Sequence, residues 1–346
     1  MMLQSHRPAR STPARRAFTL VELLVVIGII ALLVGILLPA LAAVNTAAKK
    51  TRTEATMNEF AKACDLFHQE HGFYPGVISE DDLIADAGGI NGTPRLSGTE
   101  NALLHLMGGY IDSTDPNYTA SGGYEMVFNT KSIKIFFDGA LPDRPSQMGN
   151  GPTINGRKYA AYYTPGTDDL GVARGQVGEP GNFKLPDLLD AWGNPIVYVR
   201  RARSVGPIVP RSGGSAPQFT MTSANPYLQS TALGRSANDQ TNSGGGYQAY
   251  SVFNVSGSAP GNSNYSQANW NFMQLVGHQA FTRGNYGTDL EFNATRGSYV
   301  LMSAGADGVF FSRTNGPGSA TNPVNEITAP VVVKEYDDIV VTGGGE

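Results

Sequence analysis

Arg15-Arg16-Ala17-Phe18-Thr19-Leu20-Val21-Glu22-Leu23-Leu24-Val25-Val26 sets a basic leader against a long apolar run, with one carboxylate at the run's entrance. Residues 23–44 carry no charge. At about 1.5 Å per helical residue such a stretch can cross a hydrocarbon core of roughly 30 Å. An ionised carboxylate buried in a bilayer or a packed helical core is costly unless it is paired, so Glu22 either finds a partner or stays hydrated at headgroup level. Arg7, Arg10, Arg15 and Arg16 all precede Glu22 with no acid among them, which predicts a cytoplasmic leader and an exported remainder. A cleaved secretory signal with Ala40-Leu41-Ala42 as its small-residue site is a competing reading. Its apolar region would be longer than the usual 7 to 15 residues or so and would begin beside a glutamate.

Beyond Val44 the helix is expected to continue into water. Met57, Phe60, Ala61, Cys64 and Phe67 fall on one helical face, while Lys49, Lys50, Arg52, Glu54 and Glu59 lie outside it. Gly72 and Pro75 predict a stop near His71, giving an element roughly 80 Å long with a bend or local melt at Pro39. Thr99-Glu100-Asn101-Ala102-Leu103-Leu104-His105-Leu106-Met107 reads as a short surface helix ended by Gly108-Gly109. Asp190-Ala191-Trp192-Gly193-Asn194-Pro195 reads as a turn leading into the strand Ile196-Val197-Tyr198-Val199. A second strand is Ser298-Tyr299-Val300-Leu301-Met302-Ser303, followed by the turn Ala304-Gly305-Ala306-Asp307-Gly308.

The segment Ala17-Phe18-Thr19-Leu20-Val21-Glu22 with its apolar helix resembles the processing motif of type IV prepilins and type II secretion pseudopilins. The resemblance implies cleavage by a prepilin peptidase between Ala17 and Phe18 and N-methylation of Phe18. It also implies pairing of Glu22 with the free amine of a neighbouring subunit's Phe18 during assembly. The family usually has Gly where Ala17 stands. The fold implied is α+β and pilin-like, a long N-terminal α-helix packed on a small antiparallel β-sheet with large loop-rich insertions. On this reading residues 1–17 are the leader, 18–44 the hydrophobic membrane and assembly helix, and 45–75 its amphipathic continuation. Residues 76–346 form a periplasmic globular domain, with insertions at about 111–186 and 201–297 expected to be loops and short strands rather than separate cores.

The 190–195 turn, Ser303-Ala304-Gly305-Ala306-Asp307-Gly308 and Asp337-Asp338-Ile339 are similar to motifs of the major pseudopilin of type II secretion systems. There a loop between the final strands binds Ca²⁺, so the resemblance implies Asp307, Asp337 and Asp338 as candidate ligands. Calcium takes six to eight or so hard oxygen ligands, and carboxylates supply the charge. Here 29 residues separate Asp307 from Asp337, and an ordinary turn plus a solvated acid pair is the plainer reading.

Composition narrows the remaining classes. Removing the leader's arginines takes the formal charge from −4 to about −8, which argues against a nucleic-acid partner. Cys64 stands alone, so no internal disulfide forms. Asp81-Asp82 and Asp168-Asp169 read as solvated loop charges. His68 and His71 read as a solvent-facing pair, and Trp192 and Trp270 as packing residues. No catalytic or phosphate-binding motif is present. The expectation is a non-enzymatic, single-pass inner-membrane subunit that self-assembles into a periplasmic pseudopilus. Its implied partners are the prepilin peptidase, the type II secretion assembly platform and minor pseudopilins. A surface type IV pilin for display or adhesion, and a signal-anchored or secreted binding protein that never polymerises, are the alternatives.

Overall fold

The computed structural model describes residues 19–85, 96–118, 123–136, 147–173, 184–210, 216–221, 226–228, 233, 250–254, 257–259, 262–278, 294–317, 324, 326–327 and 330–344. Its main elements are α1 (Leu20–His71), α2 (Glu80–Ile84), α3 (Gly98–Met107), β1 (Tyr110–Asp112), β2 (Tyr124–Val127), β3 (Ser132–Ile135), β4 (Val197–Arg200), α4 (Gln267–Val276), β5 (Tyr299–Ser303) and β6 (Ile339–Gly343). The chain divides into two compact units, residues 1–48 and 49–346. Helix α1 contributes to both.

In the first unit α1 stays helical through Pro39, so the expected local melt is absent. A proline removes one hydrogen bond and crowds the carbonyl four residues back. That carbonyl belongs to Gly35. At its other end the helix stops where expected. Gly72 takes φ +77°, and its N–H donates to the His68 carbonyl at 2.7 Å.

The second unit is organised by a three-stranded antiparallel sheet in the order β6-β5-β4, with Leu301 opposite both Val341 and Tyr198. Alternate side chains of a strand point to opposite faces. On one face Tyr198, Tyr299, Leu301 and Ile339 meet Met57, Phe60, Cys64 and Phe67 of α1. The predicted stripe on α1 is therefore the core stripe, and burial pushes the Cys64 thiol well up, with Asp65 adding to the effect. On the other face Val197, Val199, Val300 and Met302 pack with Phe219, Phe253, Phe272 and Phe310.

On that second face the 201–297 insertion covers the sheet, and its side chains join those of the strands in one cluster. The segment supplies most of a large apolar cluster, and every residue of α4 is buried, Trp270 included. Its apolar residues are separated by Gly-, Ser- and Asn-rich stretches, so they are gathered by tertiary packing rather than by local periodicity. The 111–186 insertion also builds structure. Strands β1, β3 and β2 pair antiparallel in that order, and Ile133, Ile135 and Met126 pack on Ile78, Leu83 and Leu104.

Helix α3 is buried along its whole length rather than lying on the surface. Ser97 caps it in a capping box with Glu100. Thr99 instead donates its hydroxyl to the Ile196 carbonyl and accepts the Tyr198 N–H at 3.0 Å, locking α3 to β4. A Cβ on Gly98 would lie 1.9 Å from the Tyr198 carbonyl oxygen, so only glycine permits this approach.

The turn after α1 is held by a buried ion pair. Arg200 Nε donates to Glu80 Oε1 at 2.7 Å, and the two side chains are 12% and 4% exposed. The remaining guanidinium nitrogens donate to the Tyr74 and Ile78 carbonyls, and Tyr227 donates to Glu80 Oε2 at 2.9 Å.

Asp187 is fully buried. One oxygen accepts the Leu188 N–H at 2.9 Å and the other, Oδ2, has no partner. Burial pushes its carboxyl from 3.8 up to about 7, against the pull of Ser97 and the Leu188 N–H. The folded chain therefore holds this proton to higher pH than the unfolded chain. Its contribution to stability is fully present below about pH 4 and is lost as pH rises through about 7. Asp187→Asn removes that loss, so the melting temperature of the variant minus that of the parent should grow across this window in paired thermal melts. A difference independent of pH would refute the assignment.

Candidate functional site

Of the assembly segment the structure describes Thr19 onward, and the sequence-assigned Ala17 and Phe18 lie outside the described residues. The Glu22 carboxylate accepts the Thr19 N–H at 2.8 Å and the Thr19 hydroxyl at 2.9 Å, and the Glu22 N–H donates to Thr19 Oγ1 at 3.2 Å. This reciprocal pair is the geometry of a capping box on the first turn of α1. The large apolar side chains from Leu20 to Val44 are 45–77% exposed. Among the described residues α1 is the one helix long and apolar enough to cross a membrane, with a mean hydropathy of 3.1 over its most apolar window.

The acid site lies in the second unit and is assembled from the turn before β4 outward. Asp190 Oδ1 accepts the N–H groups of Trp192 and Asn194 at 2.9 and 2.8 Å, while Oδ2 accepts the Ser303 hydroxyl at 2.8 Å. Asn194 Nδ2 donates to the Gly305 carbonyl at 2.9 Å, and the Ala191 N–H donates to Thr53 Oγ1 on α1 at 3.0 Å. The 190–195 turn thus fastens the 303–308 turn to the sheet and to α1. Gly305 and Gly308 take φ +64° and +73°; a Cβ at Gly305 would sit 3.0 Å from the Asp337 carbonyl oxygen, and one at Gly308 3.0 Å from Asn194 Oδ1.

The three acids singled out in the sequence come into one electrostatic neighbourhood. Asp307 Oδ1 accepts the Val309 N–H at 2.8 Å, and its Oδ2 accepts from Asn315 Nδ2 at 2.8 Å. Asp338 is buried and its Oδ1 accepts the N–H of Phe311 at 2.9 Å. Phe311 is held at φ +51°, an uncommon conformation for a bulky residue. Asp337 Oδ1 and Asp338 Oδ2 are buried without a partner. Burial pushes Asp307 up to about 6, with the Val309 N–H opposing and Asp337 adding. Burial likewise raises Asp338, with the Phe311 N–H opposing and Asp337 and Asp307 adding.

The carboxylate oxygens that lack partners belong to Asp337 and Asp338 in one segment, while both oxygens of Asp307 are engaged. The acids do not form a closed cage. Among the described residues no group of three or more His, Cys, Asp or Glu side chains is arranged to hold a metal ion. The loop between the acids supplies two contacts that the sequence reading did not identify, from Phe311 and from Asn315. Only the turn-forming composition around Asn315 hinted at a folded segment.

The other residues weighed in the sequence are spread over the second unit. His68 stacks on Tyr74 with ring centroids 4.2 Å apart, and His71 Nε2 shares a 2.9 Å hydrogen bond with the Tyr162 hydroxyl, so each ring has a packing role. The acid runs are less solvated than expected. Asp82 is buried and accepts from Thr130, Asp81 pairs with Arg203, and Asp169 pairs with Arg52 at 3.2 Å, leaving Asp168 largely exposed. Asp81 and Asp82 lie on α2 and meet Arg203 after β4 and Thr130 between β2 and β3, while α1 brings Arg52 to Asp169. Trp192 packs partly buried on the α1 face of the core.

Residues 12–38 match the family model described as the prokaryotic N-terminal methylation motif. No curated protein and no solved structure matches the chain. The matched segment spans the candidate processing site, Glu22 and the start of the apolar helix, and the motif implies prepilin peptidase processing and pilin-type assembly. The chain therefore carries a prokaryotic N-terminal methylation motif, which leads into the long helix of an α+β fold consistent with a pilin-like one.

Proposed function

We propose that this chain is a structural subunit of a type II secretion pseudopilus, inserted in the inner membrane, cleaved between Ala17 and Phe18, N-methylated at Phe18 and polymerised through α1. Addition of subunits at the membrane by the secretion assembly platform lengthens a periplasmic filament, nucleated with minor pseudopilins, that pushes substrate outward. The subunit's work is mechanical and includes no catalytic step. The observation that carries the choice of system is the joining of the 190–195 turn to the 303–308 turn beside Asp337 and Asp338, since these motifs resemble the major pseudopilin. Calcium at Asp307, Asp337 and Asp338 belongs to the same proposal. When bound it would neutralise carboxylates that otherwise repel and would tie the 303–308 turn to the segment entering β6.

A surface type IV pilin is the second reading. The observation favouring it is the thick layer that the 201–297 insertion builds on the sheet face away from α1, which enlarges what a filament would display. Deleting the chain and fractionating the parent cells separates the two. Retention of normally exported proteins in the deletion strain, with the chain confined to the cell envelope, is the expected result. Sheared surface fibres containing the chain, with export unchanged by deletion, would move the function to the surface.

A further inference from the structure

We propose that His105 is an acid-released latch on the segment leading out of α1, holding Gly76 while its imidazole is neutral and letting go when the ring takes up a proton. His105 lies in the last turn of α3, 6% exposed, and its Nδ1 accepts the Gly76 N–H at 2.9 Å. A ring nitrogen accepts only while it carries no proton, so this bond fixes the neutral imidazole with its proton on Nε2. Once both nitrogens are protonated the acceptor is gone, and the Gly76 N–H faces another donor inside the fold. Gly76 has little room to shift. It takes φ +152°, and a Cβ there would lie 2.6 Å from Cζ of Arg200. The same segment has a hold that does not titrate. Asn101, one turn earlier on α3, accepts the Ile78 N–H and donates to the Ile78 carbonyl, both at 2.9 Å. Release is therefore confined to the residues before Ile78.

The surroundings favour the neutral ring. It stacks on Phe67 of α1 with centroids 5.2 Å apart, and it lies against Phe73 and against Tyr110 of β1. Burial holds its protonation well below the ordinary histidine range. Arg200 of β4, Lys131 of the β2–β3 turn and His71 of α1 add to that effect, and Asp112 of β1 opposes it. Asp112 is itself paired with Lys131 at 3.0 Å. A ring that protonates less readily in the folded chain than in the unfolded one stabilises the fold at neutral pH, and that stabilisation is lost as pH falls below 6.5. The consequence follows from what the latch joins. Phe67 belongs to the buried stripe of α1, and Gly76 lies just past the helix end at His71, so acid loosens the exit from α1 while Asn101 keeps α3 attached to Ile78.

The test is amide hydrogen exchange of the full chain in detergent, read residue by residue by NMR from about pH 7 to about pH 5, the range in which histidine titrates. It compares Gly76 with Ile78 in the parent and in His105→Asn, whose side-chain oxygen stands in the place of Nδ1 and accepts without titrating. After correction for the intrinsic pH dependence of exchange, protection of the parent's Gly76 amide should fall about tenfold per pH unit below about 6.5, the slope of one proton taken up on opening, while Ile78 stays level. In His105→Asn the Gly76 protection should not change across the range. Protection at Gly76 that is independent of pH in the parent, or that falls in step with Ile78, would overturn the latch. The same fall persisting in His105→Asn would assign it to another group and overturn the latch as well. Should the variant not fold, the parent's comparison of Gly76 with Ile78 decides by itself.

Discussion

Glu22→Ala should abolish polymerisation while leaving the subunit inserted and folded. Within one chain Glu22 is satisfied by its own helix end, through the two hydrogen bonds from Thr19. Losing a cap costs an exposed helix end about 1 kcal/mol, and the affected turn is remote in sequence from the core residues of α1, which start at Thr53. Assembly is different. Once apolar helices pack together, a free Phe18 amine without a carboxylate is a desolvated, uncompensated charge, worth roughly 3 kcal/mol per added subunit, or about a hundredfold in the addition equilibrium.

Glu22→Gln separates the two roles. Glutamine keeps the reciprocal cap, because its amide oxygen still accepts from Thr19, but it carries no charge. The expected result in co-expression with the assembly machinery is that both variants reach the membrane at parental levels and neither forms filaments. Filaments from Glu22→Gln would assign Glu22 to capping, and the pairing reading would be wrong.

Arg200→Ala should be the most destabilising single substitution at a polar position of the globular unit. The guanidinium serves Glu80 and two backbone carbonyls at once, in surroundings where neither charged side chain is more than 12% exposed. Its removal strands the Glu80 carboxylate, with only Tyr227 to donate to its Oε2, and takes the guanidinium donor from the Tyr74 carbonyl, while the Ile78 carbonyl keeps Asn101 Nδ2. Breaking a buried pair this way costs about 3–5 kcal/mol, a large share of a typical domain's stability, and lowers the melting temperature by about 10 °C or more. Replacing both partners, as in Arg200→Met with Glu80→Gln, should recover part of that loss because no charge is stranded. A melt of Arg200→Ala within about 2 °C of the parent would show that the pair is not what holds the turn after α1.

What could be read from the sequence is what local chemistry specifies. The start, stop and buried stripe of α1 follow from an uncharged run, the 3.6-residue spacing of Met57, Phe60, Cys64 and Phe67, and a glycine able to take positive φ at residue 72. Strands β4 and β5 follow from β-branched and aromatic runs behind turn residues. The outer layer on the sheet was hidden because α4 is half polar, with Asn269, Asn271 and Gln274 buried among its apolar residues. One signal for that layer was present. Residues 196–199 and 299–302 are unbroken apolar runs, the pattern of strands covered on both faces, whereas a sheet with one wet face alternates. The Ser266 cap of α4 was a second signal, since its side chain accepts the Asn269 N–H at 3.2 Å.

The acid site was half legible. Asp307, Asp337 and Asp338 could be named by resemblance, but the 29 residues between the first two concealed how they meet. The meeting depends on Phe311 at positive φ donating to Asp338 and on Asn315 folding back to Asp307, neither of which follows from spacing.

The central claim is that this chain is a processed, assembly-competent prepilin-like subunit. Mass spectrometry of the N-terminal peptide recovered from cells, with and without the prepilin peptidase, tests it most directly. The account predicts a start at N-methylated Phe18 that is lost when the peptidase is absent. A start at Ala43 would identify an ordinary secreted protein, and an intact leader in the presence of the peptidase would identify a static membrane anchor; either would contradict it.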